Sequence, residues 1–489
     1  MEKPLKIRLH VLSPIHIGCD EVYEPTSFLI DETRNILTEF DPIDFIKKLS
    51  KQEKERFTSL CMQGNISSII GIYKFIAGKS IDGREIEIAK ELSQHYKRVR
   101  NFPVNDEKKI KQELNRFSID RTAYSPYTSL PYIPGSSIKG ALRTSYLNAL
   151  ARKDGIPKFT GKVGDLEKEL MKGSFESDPF RMVHVSDFQP IGNIKTKIYY
   201  AVNKKKQVSR YDARGPFQIL EGVQGKSVFE GAISILNAPR GIELIKRPVS
   251  AEGLYKSAHN FFKSIWNMDD YRFKEIGVNF SVYKNMHACF SEKLGKSVFL
   301  IRIGRHSGAE SMTIYGHRNI KIMQGQGVRD KHQDYATTLW LASESSKPTS
   351  NDGLIPFGWA MLEFEPFDSI PLEPAVAYQG KSKVNGLRTD RNIPTSQTFP
   401  DITNDVAPAS TPKEPKIILW KKVTLSWRPN DQTLLAISEG RKAEIKIGND
   451  KSFVPEQFHK KLFKDRKSVN TDITVIPLGN AFRIVAFED

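Results

Sequence analysis

The chain has 489 residues, of which 39% are hydrophobic and 27% charged, a balance typical of globular proteins and a length sufficient for two or three domains. Its 74 lysines and arginines outnumber 57 aspartates and glutamates, which gives a formal net charge of +17. This excess indicates a polyanionic partner, usually a nucleic acid, although a basic surface without a ligand is the alternative.

The cysteines and the N-terminal pattern indicate a cytoplasmic location. Cys19, Cys61 and Cys289 lie far apart without CxxC spacing, which argues against a disulfide framework or a zinc ribbon and fits a reducing compartment. The first residues alternate like a strand rather than forming a signal peptide. No run of about 20 apolar residues is present, so we expect no membrane association.

The first half of the chain alternates strand and helix patterns. Residues 5–12 predict a half-buried strand, and a second strand is predicted at 28–30. Asp41-Pro42 predicts an N-cap and a first-turn proline, and residues 42–100 are interpreted as largely helical. Later strands are predicted at 181–187, 196–202 and 227–236. This alternation predicts an α+β fold in which a sheet packs against helices.

The second half repeats this alternation and then changes composition. A helix is predicted at 251–275, with strands at 297–304 and 357–364. Residues 367–416 are rich in Pro, Ser, Thr, Asn and Asp and predict a flexible linker. The predicted domains are therefore an N-terminal domain with a helical insertion at 1–238, a second domain at 239–366, and a small β-rich C-terminal domain at 417–489 with a short basic helix near 455–466.

The segment YIPGSSIKGALR at 132–143 is the most informative local pattern. Pro134-Gly135 predicts a turn, and Ser136 or Ser137 predicts the N-cap of a helix that runs to about residue 152. Free backbone N–H groups at such a helix start, together with serine hydroxyls, suit a phosphate group. A well-capped amphipathic helix without a ligand is the alternative.

Basic residues accompany this segment and a later loop. Lys139 and Arg143 are four residues apart and share a helix face, and Gly140 lies between them. The loop RIGRHSG at 302–308 contributes further candidates for phosphate contact, since glycine admits a close backbone and arginine pairs with phosphate; these are Arg302, Gly304, Arg305, His306 and Ser307. A plain hairpin loop is the alternative interpretation.

His16 and Gly18 lie in the segment SPIHIG at 13–18, directly after the first strand. His16 is either a general base or, as is more common, a hydrogen-bonded turn histidine. Gly18 predicts a positive φ or a close approach by a ligand. The other histidines show no HExxH, HD or CxxC-linked grouping, and GxSxG and kinase signatures are absent. We therefore expect neither an enzyme nor a metal or other cofactor.

Taken in order, SPIHIG, YIPGSSIKGALR, DPFRMVHVSD at 178–187, RIGRHSG and the strand PFGWAMLEF at 356–364 resemble the RAMP superfamily of CRISPR proteins. The resemblance covers about residues 1–366 and is greatest to the fifth Csm subunits of type III-A effector complexes. It implies two ferredoxin-like (RRM-like) domains and binding near the 3′ end of the guide RNA. It also implies docking on the neighbouring backbone subunit, indirect contact with target RNA, and guide maturation through a recruited nuclease.

The resemblance also bears on catalysis. Backbone subunits of the superfamily that cut target RNA carry an aspartate in the loop after the HIG motif, and this chain has Pro25-Thr26 near that position. The prediction is therefore a non-catalytic subunit that caps the backbone. The alternative is a RAMP endoribonuclease that processes CRISPR repeat RNA, with His16 as general acid or base.

Overall fold

The structure is a computed structural model, and the residues that it describes form two compact units, one within residues 1–386 and the other within residues 387–489. The described residues are 4–103, 106–159, 161–209, 213, 215–236, 245–279, 284, 288, 290–323, 329–365, 418–429, 432–438, 441–447, 454–478 and 481–488. The predicted linker at 367–416 lies outside them. The mixed α+β class predicted from the sequence is confirmed.

One antiparallel six-stranded sheet forms the centre of the first unit. Its strands are β1 (Leu5–Val11), β7 (Val183–Val185), β8 (Gln189–Ile191), β11 (Val228–Ile235), β12 (Val298–Arg302) and β17 (Trp359–Phe364). The order is β12-β17-β1-β11-β7, with β8 also paired to β11. Because Leu9 of β1 lies opposite Leu362 of β17, this sheet joins strands from both domains predicted in the sequence.

A nine-stranded sheet forms the second layer of strands. Its members are β2 (Gly18–Val22), β3 (Phe28–Asp31), β4 (Ile36–Glu39), β5 (Arg84–Ile88), β6 (Ile119–Thr122), β9 (Thr196–Lys205), β10 (Gln218–Val223), β15 (Thr338–Ser343) and β16 (Ile355–Pro356). The order is β2-β6-β10-β9-β5-β4-β3, with β15 pairing both β9 and β16. A separate ribbon joins β13 (Ile320–Ile322) to β14 (Lys331–Gln333).

Eight helices of the first unit lie within the described residues. They are α1 (Pro42–Lys48), α2 (Lys51–Met62), α3 (Ile66–Ile76), α4 (Leu92–Arg100), α5 (Glu107–Arg116), α6 (Gly135–Asp154), α7 (Val163–Met171) and α8 (Ala251–Glu275). The predicted helix at 251–275 is confirmed as α8, and Asp41 caps α1 as predicted. None of the described helices is long and apolar enough to cross a lipid bilayer.

The interpretation of residues 42–100 as largely helical is wrong at β5. Arg84, Glu85, Ile86, Glu87 and Ile88 alternate with a period of two, and the two isoleucines are buried. The strand pairs with β4 on one side and with β9 on the other. This period-two pattern is typical of a strand with one buried face, but only five residues carry it between longer helical patterns.

The layer of helices places α6 and α8 side by side against the six-stranded sheet. α8 begins at the N-cap Ser250, whose side chain accepts a hydrogen bond from the Gly253 N–H. Leu254, Ala258 and Phe262 recur every four residues and are buried, so they form the stripe by which α8 packs. This packing fixes α6, whose first turn lies among the predicted site residues.

The second unit contains a closed barrel of five strands in the order β18-β19-β20-β22-β21. Its elements are β18 (Ile418–Arg428), β19 (Thr433–Ser438), β20 (Arg441–Lys446), α9 (Glu456–His459), β21 (Val469–Leu478) and β22 (Ala481–Glu488). Val423, Leu434, Ile473 and Ile484 are among the side chains that fill its separate core. All five strands lie within residues 417–489, the segment that the sequence predicts to be β-rich.

Candidate functional site

The SPIHIG segment and the RIGRHSG loop are in direct contact, although about 290 residues separate them in the chain. The backbone N–H of Arg305 donates to the carbonyl oxygen of His16 at 2.9 Å. Gly304 has φ of +83°, and a Cβ atom at this position would lie 2.6 Å from the same oxygen. Glycine is therefore required at 304 both by the backbone conformation and by the close approach.

His16 is fully buried, with 0% of its surface exposed. Its Nδ1 lies 2.6 Å from the carbonyl oxygen of Glu221, so Nδ1–H is the donor and Nε2 is unprotonated in the neutral ring. Burial lowers the pKa of His16 below its ordinary value. The ring therefore holds the loop to β10, as a turn histidine does, and its burial keeps an RNA 2′-hydroxyl from reaching it.

The arginines of the RIGRHSG loop differ in accessibility. Arg302 is buried, and its guanidinium pairs with Asp269 at 2.7 Å and donates to the Phe357 carbonyl at 3.0 Å. Arg305 leaves 43% of its side chain exposed and pairs with Asp120 at 2.7 Å. Ser307 is 2% exposed. Of these three side chains, which the sequence assigned to RNA contact, only Arg305 reaches the surface.

His306 is half-buried and stacks on Trp340, with 4.6 Å between the ring centroids. Its Nε2 lies 2.9 Å from Gln218 Oε1. Burial lowers the pKa of His306 to about 3, so the ring is neutral at physiological pH. The side chain consequently adds no positive charge for a phosphate and instead fixes the loop against β10 and β15.

Helix α6 begins differently from the prediction. The sequence suggested Ser136 or Ser137 as N-cap, but the helix starts at Gly135, after Pro134, and no side chain of the N-cap residue caps it. Instead, Asp187 accepts a hydrogen bond from the Gly135 N–H at 2.8 Å. A carboxylate at this end is favourable because the helix dipole is positive there, but it also fills part of the anion-binding position inferred from the sequence.

Lys139 and Arg143 share a helix face but have different surroundings. Arg143 pairs with Asp178 at 2.8 Å and with Glu167 at 2.9 Å, so both edges of its guanidinium are occupied. Lys139 is half-buried and forms no ion pair within the described part of the chain. Arg143 therefore fixes α6 to the segments that follow it, whereas the ammonium group of Lys139 stays available for a ligand.

The first two turns of α6 present a small open surface. Ser136 and Gly140 are exposed, Ser137 and Lys139 are half-exposed, and a Cβ atom placed on Gly140 would meet nothing within 4 Å. We call Ser136, Lys139 and Gly140 the α6 patch. Here a phosphate backbone has space to approach, a hydroxyl donor, and an ammonium group without an ion pair in the described chain.

Backbone hydrogen bonds connect Tyr132, at the start of the YIPGSSIKGALR segment, to the SPIHIG segment. Ala123 donates to the Ile17 carbonyl at 2.7 Å, and Tyr132 donates to the Ala123 carbonyl at 3.1 Å. Gly18, the next residue after Ile17, is exposed at the start of β2, and its φ is not positive, contrary to one of the two expectations for it. The structure thus links the two motifs through Ala123, the residue directly after β6, a strand that the sequence analysis did not identify.

Three acidic residues that position the site were missed as functional residues. Asp187 caps α6, while Asp178 and Glu167 pair with Arg143. Asp178 and Asp187 are the first and last residues of the DPFRMVHVSD segment. The sequence analysis used this segment for the family resemblance but assigned no role to either aspartate. Glu167 lies on α7 and carries no local pattern that points to this contact.

Two further observations bear on the chemistry available. In the described ranges, no three His, Cys, Asp or Glu side chains are grouped as ligands for a metal ion. The sequence NKKKQVSR at 203–210 contains three consecutive lysines, and one of them, Lys206, is buried and paired with Glu310. That lysine therefore has a structural partner within the protein.

Comparisons with known proteins identify relatives of this chain. A profile of the RAMP superfamily matches residues 8–342. The curated "CRISPR system Cms protein Csm5" of Streptococcus thermophilus is 27% identical over 285 residues, covering 54% of this chain and 72% of the relative. The protein of the same description from Enterococcus italicus is 21% identical over 216 residues, covering 42% and 54%. A chain in a cryo-EM structure of a Csm–crRNA–target RNA ternary complex, from a type III-A CRISPR–Cas system, aligns with a TM-score of 0.49 and 17% identity, over 74% of this chain and 100% of that chain.

Proposed function

The chain belongs to the RAMP superfamily, and from this membership we propose that it is an RNA-binding structural subunit of a type III CRISPR effector complex. Its curated relatives are named Csm5. In the proposed role it caps the complex backbone near the 3′ end of the guide RNA and docks on the neighbouring RAMP subunit. It supports guide maturation by a recruited nuclease and meets target RNA only indirectly.

The observation that carries RNA binding is the α6 patch. Lys139 forms no salt bridge with a described residue, although its charge helps to lower the pKa of Asp178, and it lies beside the exposed Ser136 and Gly140. A lysine acts on phosphate as a point charge and needs no fixed geometry. The net charge of +17 adds a general attraction for a polyanion.

The residues predicted to bind RNA divide into two groups in this proposal. Direct contact is assigned to those that are wholly or partly accessible: Gly18, Ser136, Ser137, Lys139, Gly140 and Arg305. A positioning role is assigned to those held by contacts within the protein: His16, Gly135, Arg143, Arg302, Gly304, His306 and Ser307. The second group shapes the loops, because its side chains or backbones are buried, paired or closely packed.

The proposed subunit is non-catalytic. Pro25 and Thr26 form the turn between β2 and β3, near the position where cutting relatives in the superfamily carry an aspartate, and neither side chain is capable of acid–base work. The buried ring of His16 also lacks access to a substrate. The competing function is an endoribonuclease that processes repeat RNA.

For the domains, we propose two ferredoxin-like domains at 1–238 and 239–366 that share the six-stranded sheet through the β1–β17 pairing. The C-terminal barrel is the third, smaller domain of the 417–489 region.

Guide binding is tested by changing Lys139 to Gln and measuring affinity for guide RNA as a function of salt. Removing one phosphate contact lowers the salt slope by about 0.7 for a single strand. The variant should therefore bind more weakly, with a slope reduced by about that amount. The matched control is Lys51→Gln, which removes an exposed lysine that also lacks an ion pair in the described chain. Equal affinity of the Lys139 variant and the wild type would refute the α6 patch as an RNA contact.

The endoribonuclease alternative is tested with wild-type protein and repeat RNA in EDTA. Metal-independent cleavage leaves a 2′,3′-cyclic phosphate and needs positioned proton donors. We expect intact RNA. Specific products with cyclic phosphate ends, absent from a His16→Asn variant that melts at the wild-type temperature, would replace the structural function by the enzymatic one.

A further inference from the structure

The strand order and the pairing directions of the C-terminal barrel identify its fold. β18 pairs with β19 and β21 antiparallel, β19 pairs with β20 antiparallel, β20 pairs with β22 parallel, and β22 pairs with β21 antiparallel. Counted from one to five, the closed order is 1-2-3-5-4, and α9 lies between the third and fourth strands. This arrangement is that of the OB-fold, a barrel that binds oligonucleotides or oligosaccharides on the face of its second and third strands.

Fold alone does not assign a ligand, but the charges of this barrel discriminate between an oligonucleotide and an oligosaccharide. Nine exposed cations form no ion pair within its described residues: Lys421, Lys422, Arg441, Lys442, Lys460, Lys461, Lys464, Arg466 and Lys467. Arg428 alone among the exposed cations pairs with a carboxylate of the described barrel, that of Glu444. An accumulation of cations without ion pairs suits a polyanion rather than a neutral sugar.

The densest part of this charge is the segment 460–467, which we call the basic segment. Leu462 is fully buried in the barrel core, and Phe463 packs edge-on against Trp427 of β18 at 5.0 Å. The Lys467 N–H donates to the Lys461 carbonyl at 2.9 Å. These contacts fix the backbone while five cationic side chains stay exposed around one carboxylate, that of Asp465.

The outer face of β18, β19 and β20 is consistent with contact to a nucleic-acid backbone. Thr424, Ile437 and Lys442 lie side by side in the strand register, all exposed, with 41% of Ile437 accessible. This row carries a hydroxyl, an apolar group and a cation but no aromatic ring. Stacking on aromatic rings is a common source of base contact in such barrels, so this row favours phosphate contact that tolerates any sequence.

From the topology and the exposed cations, we propose that the C-terminal barrel is a second, separate site for single-stranded RNA, bound through its basic segment and the β19–β20 face. The site lies outside residues 8–342, which match the RAMP superfamily, and does not depend on the α6 patch. It contacts the phosphate backbone and accepts any sequence of bases.

The test uses the full chain and a twelve-nucleotide oligouridine carrying 4-thiouridine, with cross-linked peptides mapped by mass spectrometry. In one variant, Lys460, Lys461, Lys464 and Lys467 are changed to Gln. In the control, four exposed lysines of the first unit that lack ion pairs in the described chain are changed to Gln: Lys51, Lys74, Lys153 and Lys296. Both variants lose the same net charge, so the comparison separates a local site from general attraction.

We expect cross-links to residues 418–488 in the wild type and the control, and their loss in the barrel variant, whose remaining cross-links map to the first unit. The salt slope of oligouridine binding should fall by up to about 3 in the barrel variant, from about 0.7 per phosphate. Oligoadenosine should bind like oligouridine.

The proposal is overturned if the wild-type barrel gives no cross-links, if the barrel variant keeps them, or if the control loses them equally. It is also overturned if the barrel variant keeps RNA but no longer binds purified effector subunits, since the partner is then a protein. If the wild type gives cross-links in the barrel but none in the first unit, only the guide-binding proposal is contradicted.

Discussion

The carboxylate of Asp187 accepts a hydrogen bond from the backbone N–H of Gly135 at 2.8 Å, across 52 residues of sequence. The first turn of α6 is therefore capped by the segment after β7 and not by its own serines. This contact brings the DPFRMVHVSD and YIPGSSIKGALR segments together, and it depends on the absence of a side chain at 135. A Cβ atom there would lie 2.3 Å from the Val185 carbonyl oxygen.

Changing Gly135 to Ala should destabilise the protein. The added methyl group forces the α6 start away from Val185, and overpacking of this kind costs about 1–3 kcal/mol. Gly140→Ala, in the same helix, meets nothing within 4 Å and should stabilise by about 0.5–1 kcal/mol through helix propensity. Urea unfolding of both variants measures the difference. A Gly135 variant as stable as the wild type would contradict the close contact.

Changing Arg143 should lower the stability of the protein, whereas changing Lys139 should not. Arg143→Ala leaves Asp178 and Glu167 without their cation, and removing hydrogen bonds to charged groups costs about 1.5–3 kcal/mol. Lys139→Ala breaks no ion pair in the described chain and should leave the unfolding midpoint unchanged. Denaturant unfolding of both variants gives the comparison. Equal midpoints would show that the ion pairs of Arg143 contribute no stability.

Stability should fall on acidification because of His306. Burial lowers the pKa of His306 to about 3 in the folded chain, against about 6.5 when unfolded. Between these values the unfolded chain binds more protons, so stability present above pH 6.5 is lost as the pH falls towards 3. At pH 5 the loss from this residue is about 2 kcal/mol.

The variant His306→Asn tests this pH dependence, since Asn tolerates the positive φ of +66° at this position. Between pH 7 and pH 5, its free energy of unfolding should fall by about 2 kcal/mol less than that of the wild type. The control is His332→Asn, because His332 is exposed on β14. If the control flattens the pH profile as much as the His306 variant does, the assignment to His306 is wrong.

Gly304 and Gly316 share a φ of +83°. Comparing an alanine substitution at each position therefore isolates the effect of packing from that of backbone strain. Alanine is strained at both positions, but only at 304 would its Cβ meet a neighbour, the His16 carbonyl oxygen at 2.6 Å. We expect Gly304→Ala to destabilise the protein more than Gly316→Ala does, by about 1–3 kcal/mol. Thermal melts of the two variants give the comparison, and equal losses of stability would exclude a close approach between the loops.

Sequence patterns predicted helices α1 and α8, whose formation depends mainly on residues close together in the chain. Asp41-Pro42 contains the cap and the first-turn proline of α1, and the repeat of Leu254, Ala258 and Phe262 defines the buried stripe of α8. β5 was missed because its period-two pattern covers five residues and is stabilised by pairing with β4 and β9. Pairing between strands is decided by partners distant in sequence.

The sequence by itself determined the mixed α+β class, the RAMP membership and the excess of positive charge, because each is written in composition or in short ordered motifs. Tertiary structure decided which of the motif residues are accessible. Arg143 and Lys139 look equivalent as cations four residues apart, yet Asp178 and Glu167 occupy only the first. Likewise, the buried ring of His16 and the capping carboxylate of Asp187 result from contacts across the fold. Burial and ion pairing depend on which residues folding brings together, and a linear pattern carries no record of those distances.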